Sequence, residues 1–201
     1  MSDGDVDLRK DLASRGALLE GHFRLSSGRH SDRFVQKFRI LEDPGLLEPV
    51  GRAIAQRFRS LEPTVVVGAA VGGILLAYEV ARQLGTKAIF VEKENGVPVL
   101  RRGFTLSPGD RALIVEDVIT TGLSVRETSA VVRGYGAQIV GLGAIIVRDP
   151  SAFDSLAALA AQDDGIEVHT LLDLPLRSYD EAECPMCLAG EPIADPGSRR
   201  S

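Results

Sequence analysis

The chain has 201 residues, 44% of them hydrophobic and 25% charged, with a formal net charge of −5 at pH 7. That is enough chain to bury one core, and the composition lies far from the polar, highly charged range of disordered segments. An acidic balance argues against a grip on nucleic acid, which needs clustered Lys and Arg, and no apolar run approaches the roughly 18–20 residues of a membrane span.

The amino terminus carries Asp3, Asp5 and Asp7 where a secretory signal would be basic and then apolar, so a cytoplasmic location is expected. Residues 18–28 read as strand and turn, and 44–59 as an amphipathic helix. Together residues 1–60 are expected to form a small hood on an α/β core spanning 61–175. Within that core, Thr64-Val-Val-Val-Gly68 is short and β-branched, as in a buried strand. A helix is predicted over 73–84, stopped by Gly85 in a left-handed cap. A strand over 87–91 follows. Asn95-Gly96 then marks a hairpin, with 97–104 as its return arm.

Ser107-Pro-Gly-Asp110 makes a turn, 111–115 a central strand, 123–135 a helix ending at Gly136, and 137–147 another strand. A helix over 151–162 and a strand over 166–172 complete the alternation. Strands alternating with helices predict a doubly wound, mainly parallel sheet of about five strands with flanking helices. Residues 184–201, rich in Pro, Gly and Ala, are expected to form an irregular tail on this single domain.

The chemistry concentrates in Ala112-Leu-Ile-Val-Glu116-Asp117-Val118-Ile119-Thr120-Thr121-Gly122-Leu123-Ser124. In an open parallel sheet, ligands bind beyond the carboxyl ends of the strands, where this strand delivers Glu116 and Asp117. Adjacent carboxylates there are costly unless they meet a cation or hydroxyl donors. The loop that follows leads into a helix, so its N–H groups form an anion cradle. Any one of these residues alone is more simply a strand end, a turn or an N-cap. In this order they fit a sugar phosphate.

That order, four apolar residues, two acids, two apolar residues and Thr-Thr-Gly, resembles the phosphoribosyl-diphosphate signature of the type I phosphoribosyltransferases. Further segments are similar to the orotate phosphoribosyltransferases in particular, in the short-loop variety of some bacteria. They are Gly16 through Ser31, Gly68-Ala-Ala-Val-Gly-Gly-Ile74, Glu92-Lys93-Glu94 and Val147-Arg148. The resemblance implies transfer of the phosphoribosyl group from phosphoribosyl diphosphate to orotate, giving orotidine monophosphate and pyrophosphate, with Mg²⁺ held mainly through the diphosphate, in a homodimer.

It also implies roles. Glu116 and Asp117 face the ribose as catalytic acids, and Lys93 joins the stretch from Glu116 to Ser124 in holding phosphoribosyl diphosphate. Thr120, Arg148 and Phe34 meet orotate, with Val35 beside Phe34. A guanidinium fork at a strand end suits a planar carboxylate, although Arg148 beside Asp149 also reads as a surface ion pair.

Several family cations are replaced: Ser26, Val71-Gly72 and Glu92 stand where the family has basic or aromatic residues, and its long mobile loop is reduced to the turn at Asn95-Gly96. Arg101, Arg102, Arg24 and Arg29 are therefore candidates to balance the leaving pyrophosphate, within one chain or across a subunit interface. Gly68 through Gly73 offers backbone N–H groups for the same purpose.

Two other readings share the fold: a phosphoribosyl-diphosphate-binding regulator of nucleotide genes, and a transferase for another base. Cys184-x-x-Cys187 resembles half a zinc knuckle, but His22, His30 and His169 follow no matching spacing, so unliganded, reduced thiols are expected.

Overall fold

The computed structural model describes residues 8–25, 27–148, 156–157 and 166–196. The expected helix over 151–162 therefore lies mostly outside the described residues, as do Ser26 and Asp149.

Nearly continuous apolar strands need cover on both faces, and this sheet has it. Its six strands run in the order β5-β4-β3-β6-β7-β8, comprising β3 (Val65–Ala69), β4 (Lys87–Glu94), β5 (Val97–Leu100), β6 (Arg111–Ile119), β7 (Gln138–Val147) and β8 (Glu167–Asp173). Five of them are mutually parallel, as expected, and β5 joins β4 antiparallel at the edge. Side chains alternate between the faces. Val66, Leu113 and Val115 pack with α3 (Pro44–Phe58) and α4 (Gly72–Leu84), whereas Val65, Val67 and Ile114 pack with α5 (Leu123–Gly134). Each such fully buried side chain contributes about 1.5–3 kcal/mol.

Close approaches between layers explain two glycine positions. A Cβ on Gly141 of β7 would lie 2.5 Å from the buried ring of Phe58, and one on Gly68 would lie 2.2 Å from the carbonyl oxygen of Gly73. The β4–β5 hairpin turns at Asn95 (φ 51°) and Gly96 (φ 82°), the paired left-handed conformations that a two-residue hairpin requires. Its return arm is shorter than predicted. Arg102 (φ 63°) and Gly103 (φ 73°) turn the chain away after Leu100.

The hood is a two-stranded antiparallel sheet, β1 (Leu18–Arg24) with β2 (His30–Val35), preceded by α1 (Leu8–Ser14) and followed by α2 (Phe38–Leu41). The tail differs from expectation. A 3₁₀ turn (Glu181–Glu183) and a short helix, α6 (Pro185–Leu188), give it order, and its backbone docks on the hood. Ala194 N–H donates to the carbonyl of His22 at 2.8 Å, and Arg24 N–H donates to that of Ala194 at 2.9 Å. His30 and Tyr179 exchange a further pair of backbone hydrogen bonds.

Candidate active site

The central strand runs further than the sequence pattern indicated, and its neighbours explain why a crevice opens beside it. Pairing with β3 stops at Gly68↔Val115, while pairing with β7 continues from Glu116↔Ala144 to Ile119↔Val147. On the abandoned side, β3 gives way to a loop containing a cis Ala70–Val71 peptide and then to α4. Glu116 and Asp117 thus remain on a rigid strand yet border an open cleft of about 750 Å³. The loop lines it through Ala69 to Gly72, the hood through Arg24, Phe34 and Lys37, and the tail through Asp195 and Pro196.

The two acids are nearly inaccessible, at 7% and 1% exposure. Burial pushes the Glu116 carboxyl up to about 8, with Asp117 adding to the rise and Lys37 opposing it. The rise favours the proton on Glu116 at neutral pH and so lessens the negative charge that the two adjacent carboxyls would otherwise share. Lys37 Nζ meets that charge, 2.9 Å from Asp117 Oδ2 and 3.3 Å from Oδ1. Oδ1 also accepts from the Val118 N–H at 2.7 Å. Oδ2 is a buried oxygen that no hydrogen bond satisfies: its contact with Lys37 is an ion pair without hydrogen-bond alignment. Such an oxygen at a cleft suits a ligand hydroxyl or a cation. Gly72 makes room for it, because a Cβ there would sit 1.7 Å from Oδ2.

Beyond the acids, residues 119–125 curl around a second concavity of about 180 Å³. Gly122 caps α5 in the left-handed conformation (φ 72°) and contributes no side-chain hydrogen bond. The first N–H groups of α5 are thus available to an anion, reinforced by the helix dipole. Arg148 follows the carboxyl end of β7, its N–H bonded to the Ile119 carbonyl at 2.9 Å, and lines the large cleft together with Phe34 and Lys37.

Residues 38–157 match the model of the phosphoribosyl transferase domain family. The chain is 43% identical over 181 residues to the orotate phosphoribosyltransferase of Caldanaerobacter subterraneus subsp. tengcongensis, covering 90% of each chain. It is 46% identical over 185 residues to that of Pelotomaculum thermopropionicum, covering 92% of this chain and 93% of the relative. The chain belongs to the orotate phosphoribosyltransferases. Among solved structures, the orotate phosphoribosyltransferase of Aeropyrum pernix superposes with a TM-score of 0.66 at 28% identity, over 83% of this chain and 93% of that one.

Against this family background, the structure gathers most of the residues singled out in the sequence. Glu116, Asp117, Val118, Thr120, Ser124, Phe34, Val35 and Arg148 line the large cleft, and Ile119, Thr121, Gly122 and Leu123 the smaller one. Lys93 stands apart from both. It lies at the exposed end of β4 and pairs with Glu127 of α5 at 2.8 Å. Of the four candidate arginines, only Arg24 reaches the cleft. Arg101 pairs with Glu94 at 2.7 Å, Arg102 with Glu92 through two hydrogen bonds, and Arg29 with Ser178 and Asp180 of the tail segment.

Lys37 was the residue the sequence argument missed. It lies two residues beyond Val35, near the hood's ligand face, but nothing in its spacing points to Asp117.

Proposed function

We propose that this cleft transfers the 5-phosphoribosyl group from phosphoribosyl diphosphate to orotate. The observation that carries the reading is the convergence of Asp117, the Thr120–Ser124 cradle and Arg148 on one crevice. The 5-phosphate sits on the N–H groups at the start of α5, with Thr120, Thr121 and Ser124 supplying hydroxyls. Glu116 and Asp117 then face the ribose. As the anomeric carbon–oxygen bond breaks, its electron pair leaves on pyrophosphate while positive charge grows on the sugar ring, where a carboxylate favours the transition state. A ring nitrogen of orotate supplies the pair for the new bond and releases its proton to solvent.

Arg148 grips the orotate carboxylate as a planar fork, Thr120 adds a polar contact, and Phe34 covers the base. On the leaving side, Lys37, Arg24 and the N–H groups of Val71 and Gly72 replace the cations the family carries elsewhere. Mg²⁺ fits the oxygen-rich lip, since it favours phosphate and carboxylate oxygens, and the unsatisfied Asp117 Oδ2 is a suitable neighbour; when bound, it would neutralise diphosphate charge. Lys93, held by Glu127 outside the cleft, would meet phosphoribosyl diphosphate only from a neighbouring copy, which accords with a homodimer. The negative net charge supports small-molecule partners rather than nucleic acid, and no described helix is long and apolar enough to cross a membrane. A cytoplasmic setting is consistent with both.

Arg148→Ala tests the assignment of the base site. A charge-assisted bidentate contact is worth about 1.5–3 kcal/mol, so the KM for orotate should rise roughly tenfold or more. The KM for phosphoribosyl diphosphate should stay within about twofold. An unchanged KM for orotate would overturn the reading.

A further inference from the structure

Four metal-ligating side chains from opposite ends of the chain meet outside the cleft. His22 comes from β1, His30 opens β2, and Cys184 and Cys187 flank the first turn of α6. Their ligand atoms all lie within 4.8 Å of one another. His22 Nε2 is 3.0 Å from His30 Nδ1 and 3.6 Å from each sulfur, and His30 Nδ1 is 3.2 Å from Cys187 Sγ. Zinc bonds of about 2.0–2.1 Å to nitrogen and 2.3 Å to sulfur set tetrahedral ligand separations of roughly 3.3–3.8 Å. These four separations match that shape to within a few tenths of an ångström, and no two of the ligand atoms lie more than 4.8 Å apart.

We infer that His22, His30, Cys184 and Cys187 form a structural zinc site that clips the carboxyl-terminal segment to the hood. Three observations support it besides the distances. His22, His30 and Cys184 are buried, as befits a closed site without a coordination position for substrate. The other nitrogen of His22, Nδ1, lies 3.0 Å from the carbonyl oxygen of Glu191. A carbonyl only accepts, so Nδ1 carries the proton and Nε2 turns its lone pair into the cluster, the arrangement in which a backbone carbonyl fixes a metal-binding imidazole. The two thiols are three residues apart across the start of α6, so one turn of backbone aims both at one point. A two-sulfur, two-nitrogen tetrahedron selects zinc among common divalent ions.

The position gives the clip a consequence. Arg24 lies two residues beyond His22 and Gly28 two before His30, and both line the cleft, as do Asp195 and Pro196 at the far end of the clipped segment. Zinc therefore holds the cleft's outer rim to the hood. Sequence spacing concealed the site because two of its ligands lie more than 150 positions from the others.

The untagged protein, purified without added metal, should carry about one zinc per chain by mass spectrometry of the metals. Replacement by Co²⁺ should give the intense visible bands of a tetrahedral ion and sulfur-to-metal charge transfer, a readout that requires no variant. The double variant Cys184→Ser, Cys187→Ser should lose the zinc and melt at least about 5 °C lower. Absence of zinc in the purified protein, with none taken up by the reduced protein from a zinc buffer, overturns the site. So does zinc retained undiminished by the double variant, or a cobalt spectrum without thiolate bands.

Discussion

Glu116, Asp117, Thr120 and Ser124 come from one short stretch of strand and loop, whereas Arg24, Phe34 and Lys37 come from the hood and Asp195 from the tail. The first group sits on the best-supported strand of the molecule or within five residues of its end, and that strand is paired with β7 along its length and packed on both faces. The second group sits on a two-stranded sheet, an element that is marginal alone and here depends on the docked tail. The difference teaches where each half of the proposed chemistry is vulnerable. Groups on the sheet are placed to a fraction of an ångström by packing, and small intrusions matter. Groups on the hood are placed by its attachments.

The largest effect should come from the sheet side. Gly72→Ala would force a methyl group into Asp117 Oδ2 and against Lys37, displacing both. A fall in kcat/KM of about 100-fold or more is expected, the scale of losing a preorganised charged group, with the fold retained by circular dichroism. Near-normal turnover would show that Asp117 is not held where the mechanism needs it.

Glu116 offers a test through stability rather than rate. Its carboxyl is raised to about 8 by burial and by Asp117, so between its unfolded value and that figure the folded state binds more protons than the unfolded one. Stability from this group therefore falls as pH rises through the folded value. Glu116→Gln removes that loss while keeping an acceptor for the Asp117 N–H. The variant should be more stable than the parent by several kcal/mol at pH 9, at roughly 1.4 kcal/mol for each unit of the rise, with the gap closing toward pH 5. A gap independent of pH would contradict the buried, proton-sharing pair.

The smallest effects separate the cations. Arg24→Ala, in the cleft, should lower turnover roughly tenfold, the loss of one charge near the leaving group. Arg102→Ala breaks only an exposed pair with Glu92 and should cost under about 1 kcal/mol in stability, with turnover within twofold. Equal losses would mean that cleft position is not what distinguishes them.

How much was visible in advance follows the same division. Local signals located the parallel strands, the Asn95-Gly96 hairpin and the acid-and-loop segment, because periodicity, turn chemistry and a contiguous motif act over neighbouring residues. The extent of β6 was underestimated, since what prolongs it is pairing with β7 after β3 has turned away. Lys37 and the His22–His30–Cys184–Cys187 cluster were illegible for a related reason: each joins residues brought together only by the docking of hood on core and tail on hood. Arg102 shows the opposite error, an arginine just beyond the hairpin that Glu92 of β4 already occupies.

Pyrophosphate release in the presence of phosphoribosyl diphosphate and Mg²⁺, with orotate, uracil, hypoxanthine or adenine as the only base, tests the proposed activity most directly. Orotate should support turnover, and the bases without its carboxylate should support little or none. No release with orotate, or equal release with uracil, would contradict the account of the cleft.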